Sequence, residues 1–115
     1  ELFIAQLGVL ARKKSLKLFE DLRQAGFKVA ESFAKDGLKP QMELANKLGT
    51  KYALIIGQKE IMDGTILIRD MESGIQETVD FQKIVSEVRK RLEKYGVVEK
   101  RDADLPAPAA DQAGT

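Results

Sequence analysis

Tyr52-Ala-Leu-Ile-Ile-Gly-Gln-Lys-Glu-Ile-Met-Asp-Gly-Thr-Ile-Leu-Ile-Arg-Asp-Met-Glu-Ser-Gly-Ile-Gln76 is the stretch from which the fold is read. Tyr52 to Ile56 is an unbroken apolar run, which suits a strand covered on both faces in a parallel sheet. Gly57 ends it. Gln58 to Asp63 is polar apart from Ile61 and Met62 and closes on Asp63-Gly64, a turn pair ahead of a second apolar run, so the pattern predicts a hairpin. On the returning strand, Thr65 to Arg69, alternation sets Thr65, Leu67 and Arg69 on one face and Ile66 and Ile68 on the other. A second turn, Met71-Glu-Ser-Gly74, leads into a short strand at Ile75 to Val79.

Upstream, two βα units are built alike. Leu2 to Leu7 is apolar except for Gln6, and Gly8 releases the chain into a helix over about Ala11 to Ala25, with Leu18, Phe19 and Leu22 on one face. Gly26 stops that helix. Phe27 to Ala30 reads as a second strand, Lys35-Asp-Gly37 as a turn, and Pro40 to Leu48 as a second helix with Pro40 tolerated in its first turn. Downstream, Asp80 is a helix N-cap, and Phe81, Ile84, Val85, Val88 and Leu92 form one stripe of a helix reaching Tyr95. Short connections between alternating strands and helices imply right-handed crossovers. The expected fold class is α/β: a three-layer α/β/α arrangement with a five-stranded mixed sheet, one strand antiparallel, and three helices.

Composition bounds the chemistry. A chain of 115 residues with 43% hydrophobic content suits one domain. Residues 1–96 are expected to form it. The tail 97–115 turns to Asp, Ala and Pro and is expected to be disordered from about Asp102. Cysteine and histidine are both absent. Disulfides, thiol nucleophiles, imidazole acid–base work and the usual zinc ligand sets are thereby excluded, and no metal site is expected. The formal net charge of +1 conceals an acidic tail and a mildly basic body. Such a balance fits a module that reads a few exposed bases better than one that grips a long duplex. No apolar run approaches a membrane span and no basic-then-apolar signal pattern opens the chain, so a soluble cytoplasmic protein without a membrane partner is expected.

Four local patterns, in this order and spacing, resemble one family: Phe3-Ile-Ala-Gln-Leu-Gly8, Leu22-Arg-Gln-Ala-Gly26, Gln41-Met-Glu-Leu-Ala-Asn-Lys-Leu-Gly-Thr-Lys-Tyr52, and Ile56-Gly-Gln-Lys-Glu60 followed by Ile68-Arg-Asp-Met71 and Gly74-Ile-Gln76. Together they are similar to the C-terminal anticodon-binding domain of class IIa aminoacyl-tRNA synthetases, over about Leu2 to Tyr95. The Gly-x-Gln pattern after Ile56 favours the histidyl-tRNA synthetase branch. The resemblance implies recognition of the anticodon stem-loop of tRNA(His) by the non-catalytic part of a histidine–tRNA ligase. ATP and histidine would belong to that enzyme's absent catalytic domain, with no cofactor in this one. The parent would be a homodimer, and the isolated domain is compatible with a monomer.

In open α/β sheets ligands gather outside the carboxyl ends of the parallel strands. Here that edge comprises Gly8 to Arg12, Glu31 to Lys35 and Gly57 to Glu60. The resemblance places the family's anticodon-reading glutamate and arginine on Glu60 and Arg69, with Gln58 and Lys59 beside the former. A carboxylate accepts from guanine donors and a guanidinium forks onto a base edge or a phosphate. Taken without the family, Glu60 is a solvated hairpin charge and Arg69 a rim partner of Asp70 or Glu77. Gln76 either ties the last strand or reads a base. Gln6, polar in an apolar strand, must find partners in a network or at a site. Arg12 and Lys13, in the run Arg12-Lys-Lys14, are candidates for phosphate contacts, since cations opening a helix oppose its dipole unless an anion compensates. Arg89-Lys-Arg91 and Lys94, near a helix C-terminus, need no such account.

No phosphate-binding Gly-x-x-x-x-Gly-Lys-Ser/Thr loop, Gly-x-Gly-x-x-Gly turn or Gly-x-Ser-x-Gly elbow occurs, and no catalytic residue is expected. Two other readings stand beside RNA recognition. One is a synthetase-like domain redeployed as a regulatory or protein-interaction module. The other is a flavodoxin-like small-molecule binder, which the lack of a phosphate-cradling loop disfavours.

Overall fold

The computed structural model describes residues 1–32 and 37–93. It divides into one unit from Glu1 to Val85 and a second from Ser86 onward. The expected turn residues Lys35 and Asp36, Lys94, the end of the last helix at Tyr95 and the tail 97–115 lie outside the described residues.

The first unit begins β1 (Leu2–Gln6), α1 (Val9–Gln24), β2 (Val29–Glu31), α2 (Leu38–Lys47), β3 (Tyr52–Ile56). The sheet order is β2-β1-β3-β4-β5, with β4 at Thr65–Asp70 and β5 at Gln76–Asp80. β1 pairs in parallel with β2 and β3, while β4 runs antiparallel to both β3 and β5. Only β4 is therefore reversed. The chain steps from β1 out to β2, then back across β1 to β3, so two right-handed crossovers put α1 and α2 on opposite faces. Phe3, Ala5, Ala53 and Ile55 pack under Ala45 and Met42 of α2. Leu2, Ile4, Leu54 and Ile56 point the other way and are fully buried, as are Ala11, Leu18 and Leu22 of α1. β1 and β3 are buried at every position; β3 is the strand covered on both faces that its unbroken apolar run predicted, and in β1 the polar Gln6 is buried with the rest.

Three expectations need correction. Gln58 to Asp63 is not a polar turn but a six-residue helix, α3 (Gln58–Asp63), so β3 and β4 are joined through a helix rather than a tight hairpin. The Glu60 carboxylate makes that helix possible: its Oε1 accepts the Gly57 N–H at 2.8 Å, satisfying a donor that the first turn would leave orphaned. Gly64, at φ 70, ends the helix in the left-handed region. The described helices are consequently four, α1, α2, α3 and α4 (Ile84–Glu93), together with a 3-10 turn over Phe81–Lys83 that Asp80 caps through the Gln82 N–H. Finally, β2 starts at Val29 rather than Phe27. The Phe27 N–H is used by the Leu22 carbonyl and the Gly26 N–H by that of Arg23, so the exit from α1 consumes these residues before pairing can begin.

Within the second unit, the described part is the rest of α4, where the Arg91 guanidinium meets the Glu87 carboxylate at 2.7 Å. No described helix is long and apolar enough to cross a membrane.

Candidate functional site

The carboxyl ends of the parallel strands form one edge, and its backbone is fastened from below. β2 stops at Glu31, opposite Ile4, so β1 outruns its neighbour by two residues. The buried Gln41 side chain of α2 fills the gap. Its Oε1 accepts the Gln6 N–H at 2.9 Å, and its Nε2 donates to the Gln6 carbonyl at 2.8 Å and to the Gly37 carbonyl at 2.9 Å. An amide side chain thus does what a strand would do, since a buried backbone group left unpaired is costly. Gln6 itself is buried and donates from Nε2 to the Ser32 carbonyl at 3.3 Å. Its polarity is absorbed by a network beneath the edge.

Beside this network stands Glu31, at the end of β2. Burial drives its carboxyl up from 4.5 to about 7, opposed by a hydrogen bond with Ser15 of α1. Its Oε2 is buried without a hydrogen-bond partner.

Above the edge lie the starts of α1 and α3. Neither the N-cap Gly8 nor any acidic side chain in the first turn of α1 compensates its positive end. Arg12 is half-buried and Lys13 exposed on this segment. Gln58 and Lys59 are exposed on α3, with Lys59 Nζ 3.7 Å from Asp63. Glu60 is half-buried, one oxygen committed to Gly57. A Cβ on Gly57 would come within 2.8 Å of that oxygen, the far end of a flexible side chain, so a larger residue there would displace the Glu60 carboxylate from its cap.

Arg69 belongs to a different surface. It lies four residues along β4 from Thr65, roughly 13 Å from the α3 end of the strand. Arg69 and Gln76 are directly opposite on β4 and β5, and Nη1 donates to Gln76 Oε1 at 3.2 Å in an exposed contact. The alternative reading, an ion pair with Asp70 or Glu77, is not the contact that Arg69 makes here. Asp70 instead turns its Oδ1 to the N–H groups of Glu72 and Ser73, bracing the β4–β5 turn. The candidates thus fall into an edge group, Arg12, Lys13, Gln58, Lys59 and Glu60, and a hairpin pair, Arg69 and Gln76, with Gln6 buried. Among the described residues no group of three or more His, Cys, Asp or Glu side chains could hold a metal ion.

Sequence reading missed Gln41 and the capping role of Glu60. For Glu60 a signal existed, because Gly57-x-x-Glu60 has the spacing of an N-cap followed by its N3 carboxylate.

An α/β sheet with one reversed strand is the architecture of a known family of anticodon-binding domains. The chain belongs to it: the family model described as "Anticodon binding domain" matches residues 2–91. Its relatives include histidine–tRNA ligases, among them that of Staphylococcus carnosus, 35% identical over 96 residues that make up 84% of this chain and 22% of that protein. The Symbiobacterium thermophilum enzyme is 36% identical over 90 residues, 78% of this chain and 21% of its own. The chain therefore spans about a fifth of the length of these relatives, matching their anticodon-binding part alone. Apo histidyl-tRNA synthetase from S. aureus superposes with a TM-score of 0.71 at 31% identity, over 76% of this chain and 25% of that one. The RNA-binding domain of threonyl-tRNA synthetase from Cryptosporidium parvum shares the fold, with a TM-score of 0.70 at 15% identity over 78% of this chain and 23% of that one.

Proposed function

We propose that this chain reads the anticodon loop of tRNA(His) as the anticodon-binding domain of a histidine–tRNA ligase. The parent would be a cytoplasmic homodimer that attaches histidine to tRNA, binding ATP in a separate catalytic domain and leaving this domain without a catalytic residue or cofactor. The observation that carries the reading is the state of Arg69. Its guanidinium is partly open to solvent and engages the neutral Gln76 amide, so it can turn to a base edge or phosphate without breaking an ion pair. Gln76 is released by the same exchange and becomes a second donor and acceptor. At the edge, Gln58, Lys59 and the second oxygen of Glu60 offer donors and an acceptor to an unstacked nucleotide, while Arg12 and Lys13 face the phosphates of the stem. Gln6 acts indirectly, by holding the Ser32 carbonyl.

An NMR titration tests this, using an anticodon stem-loop with the histidine anticodon beside one with all three anticodon bases changed. The expected result is shifts at Gln58 to Glu60, Arg69 and Gln76 that need the correct bases. Shifts confined to Arg12 and Lys13 with both RNAs would reduce the interaction to phosphate attraction and overturn the reading.

A further inference from the structure

A groove of about 780 Å³ runs along α1. One wall is a single helix face, Leu10, Lys14, Lys17 and Asp21, whose spacing of four, three and four carries it over three turns. Ile61 of α3 and Phe81 of the 3-10 turn form the other. A smaller opening around Leu7, Val9 and Gln58 shares Leu10 and Ile61 with it, so the apolar lining continues to the start of α1. At that end large apolar side chains stand in solvent: Val9 is 73% exposed and Leu10 64%. Exposed apolar side chains lining one opening, as Val9 and Leu10 do, mark an interaction surface. The RNA reading above uses only its rim, at Lys13 and Gln58, and leaves the apolar lining without a role.

Charge selects the occupant. The carboxylates on the rim are already engaged within the chain: Asp21 with Lys17 Nζ at 3.3 Å, and Asp80 with the Gln82 N–H at 3.0 Å. Of the cations on the rim, Lys17 is spent on Asp21. Lys13 has no partner among the described residues, and Lys14 lies over the Phe81 ring, 4.4 Å from its centroid. An RNA strand would want an open aromatic face for stacking, and Lys14 covers this one. An apolar groove along three turns of α1, with the Lys13 and Lys14 ammonium groups on its rim, fits a helix laid in a groove. We propose that this groove docks an amphipathic helix of a partner protein, its apolar stripe on Val9, Leu10 and Ile61 and its carboxylates on Lys13 and Lys14.

The probe is a synthetic helix of about fifteen residues, long enough to hold helical structure, with leucine at i, i+3, i+4 and i+7 and glutamate on its flanks. Its counterpart carries lysine in place of glutamate. Titrated into the 115-residue chain, the acidic peptide is expected to shift Val9, Leu10, Lys14, Ile61 and Phe81. Leu10→Asp and Lys14→Glu, both surface changes, should each weaken binding about tenfold or more. Equal binding of the lysine peptide, indifference to Leu10→Asp, or no shift at millimolar peptide would overturn the proposal. The anticodon stem-loop is titrated into the same protein. If RNA moves Val9, Leu10 and Ile61, the groove is a nucleic-acid surface and the docking proposal fails. If RNA moves nothing while the acidic peptide binds, anticodon reading fails and the docking proposal stands.

Discussion

At the carboxyl end of β1, Gln41 and Gln6 meet out of reach of water, whereas on β4 and β5 Arg69 and Gln76 meet in the open. Both contacts use a glutamine amide against a polar partner at ordinary hydrogen-bond length. Burial makes them opposite in consequence. The buried amide cannot be exchanged for anything, because losing it strands two backbone groups; the exposed one is replaced by water at almost no cost, and so by a ligand. The first contact holds the edge still, and the second remains available for recognition.

The comparison breaks most visibly at Gln41. Gln41→Leu keeps the volume but leaves the Gln6 N–H and carbonyl unpaired in the interior, an expected loss of about 2–5 kcal/mol. Urea unfolding monitored by circular dichroism measures it. A loss below about 0.5 kcal/mol would mean that water or a shifted β2 replaces the amide and that the edge is not fastened as described.

Glu60 lies between the two extremes, one oxygen bound to the backbone and one not. Glu60→Ala removes the cap of α3 and should cost about 1 kcal/mol. Glu60→Gln keeps a carbonyl oxygen for the Gly57 N–H and should cost a few tenths. Base-specific RNA binding should respond otherwise, falling in both variants, because the amide retains the cap but not the charge. If Glu60→Gln binds the cognate stem-loop as well as the parent chain, the carboxylate serves the helix alone.

How much of this was legible in the sequence follows from what each signal encodes. β3 was visible because burial on both faces writes itself as an unbroken apolar run, β1 as a run broken only by Gln6, and the Arg69 face followed from alternation. α3 was hidden because Asp63-Gly64 has two meanings. A left-handed glycine closes a helix and also turns a hairpin, and six residues are too few for a 3.6-residue period to decide between them. The role of Gln41 was illegible for another reason. It depends on β2 stopping at Glu31, a tertiary fact, so nothing local distinguishes this glutamine from a solvated one. Arg69 was placed correctly on its face, but charge suggested Asp70 or Glu77 as its partner. The register put Gln76 opposite, and the turn had already claimed Asp70.

A smaller effect is expected at Glu31, half-exposed beside the buried network. Its folded-state value near 7 lies above the ordinary 4.5, so the folded chain holds this proton more tightly than the unfolded chain. The stabilisation is complete below about 4.5 and is lost as pH rises through about 7. Stability measured across that window should therefore decline with pH in the parent chain, and Glu31→Gln, neutral throughout, should remove that part of the slope. An unchanged slope would mean that the carboxyl titrates as in water.

The smallest effect on stability, and the sharpest test of the contrast, is at Gln76. Gln76→Ala removes an exposed contact and should change stability by no more than about 0.5 kcal/mol, an order of magnitude below Gln41→Leu at the upper end of its range. Arg69 loses its partner but not its position, since β4 fixes the backbone and the guanidinium is satisfied by water. If Gln76 only parks Arg69, binding of the cognate stem-loop should rise slightly, because a competing hydrogen bond has been removed. If the amide itself reads a base, binding should fall by about 1–3 kcal/mol for the cognate anticodon and change little for the altered one. Isothermal titration with both RNAs separates these outcomes at constant fold, which no substitution at Gln41 could do.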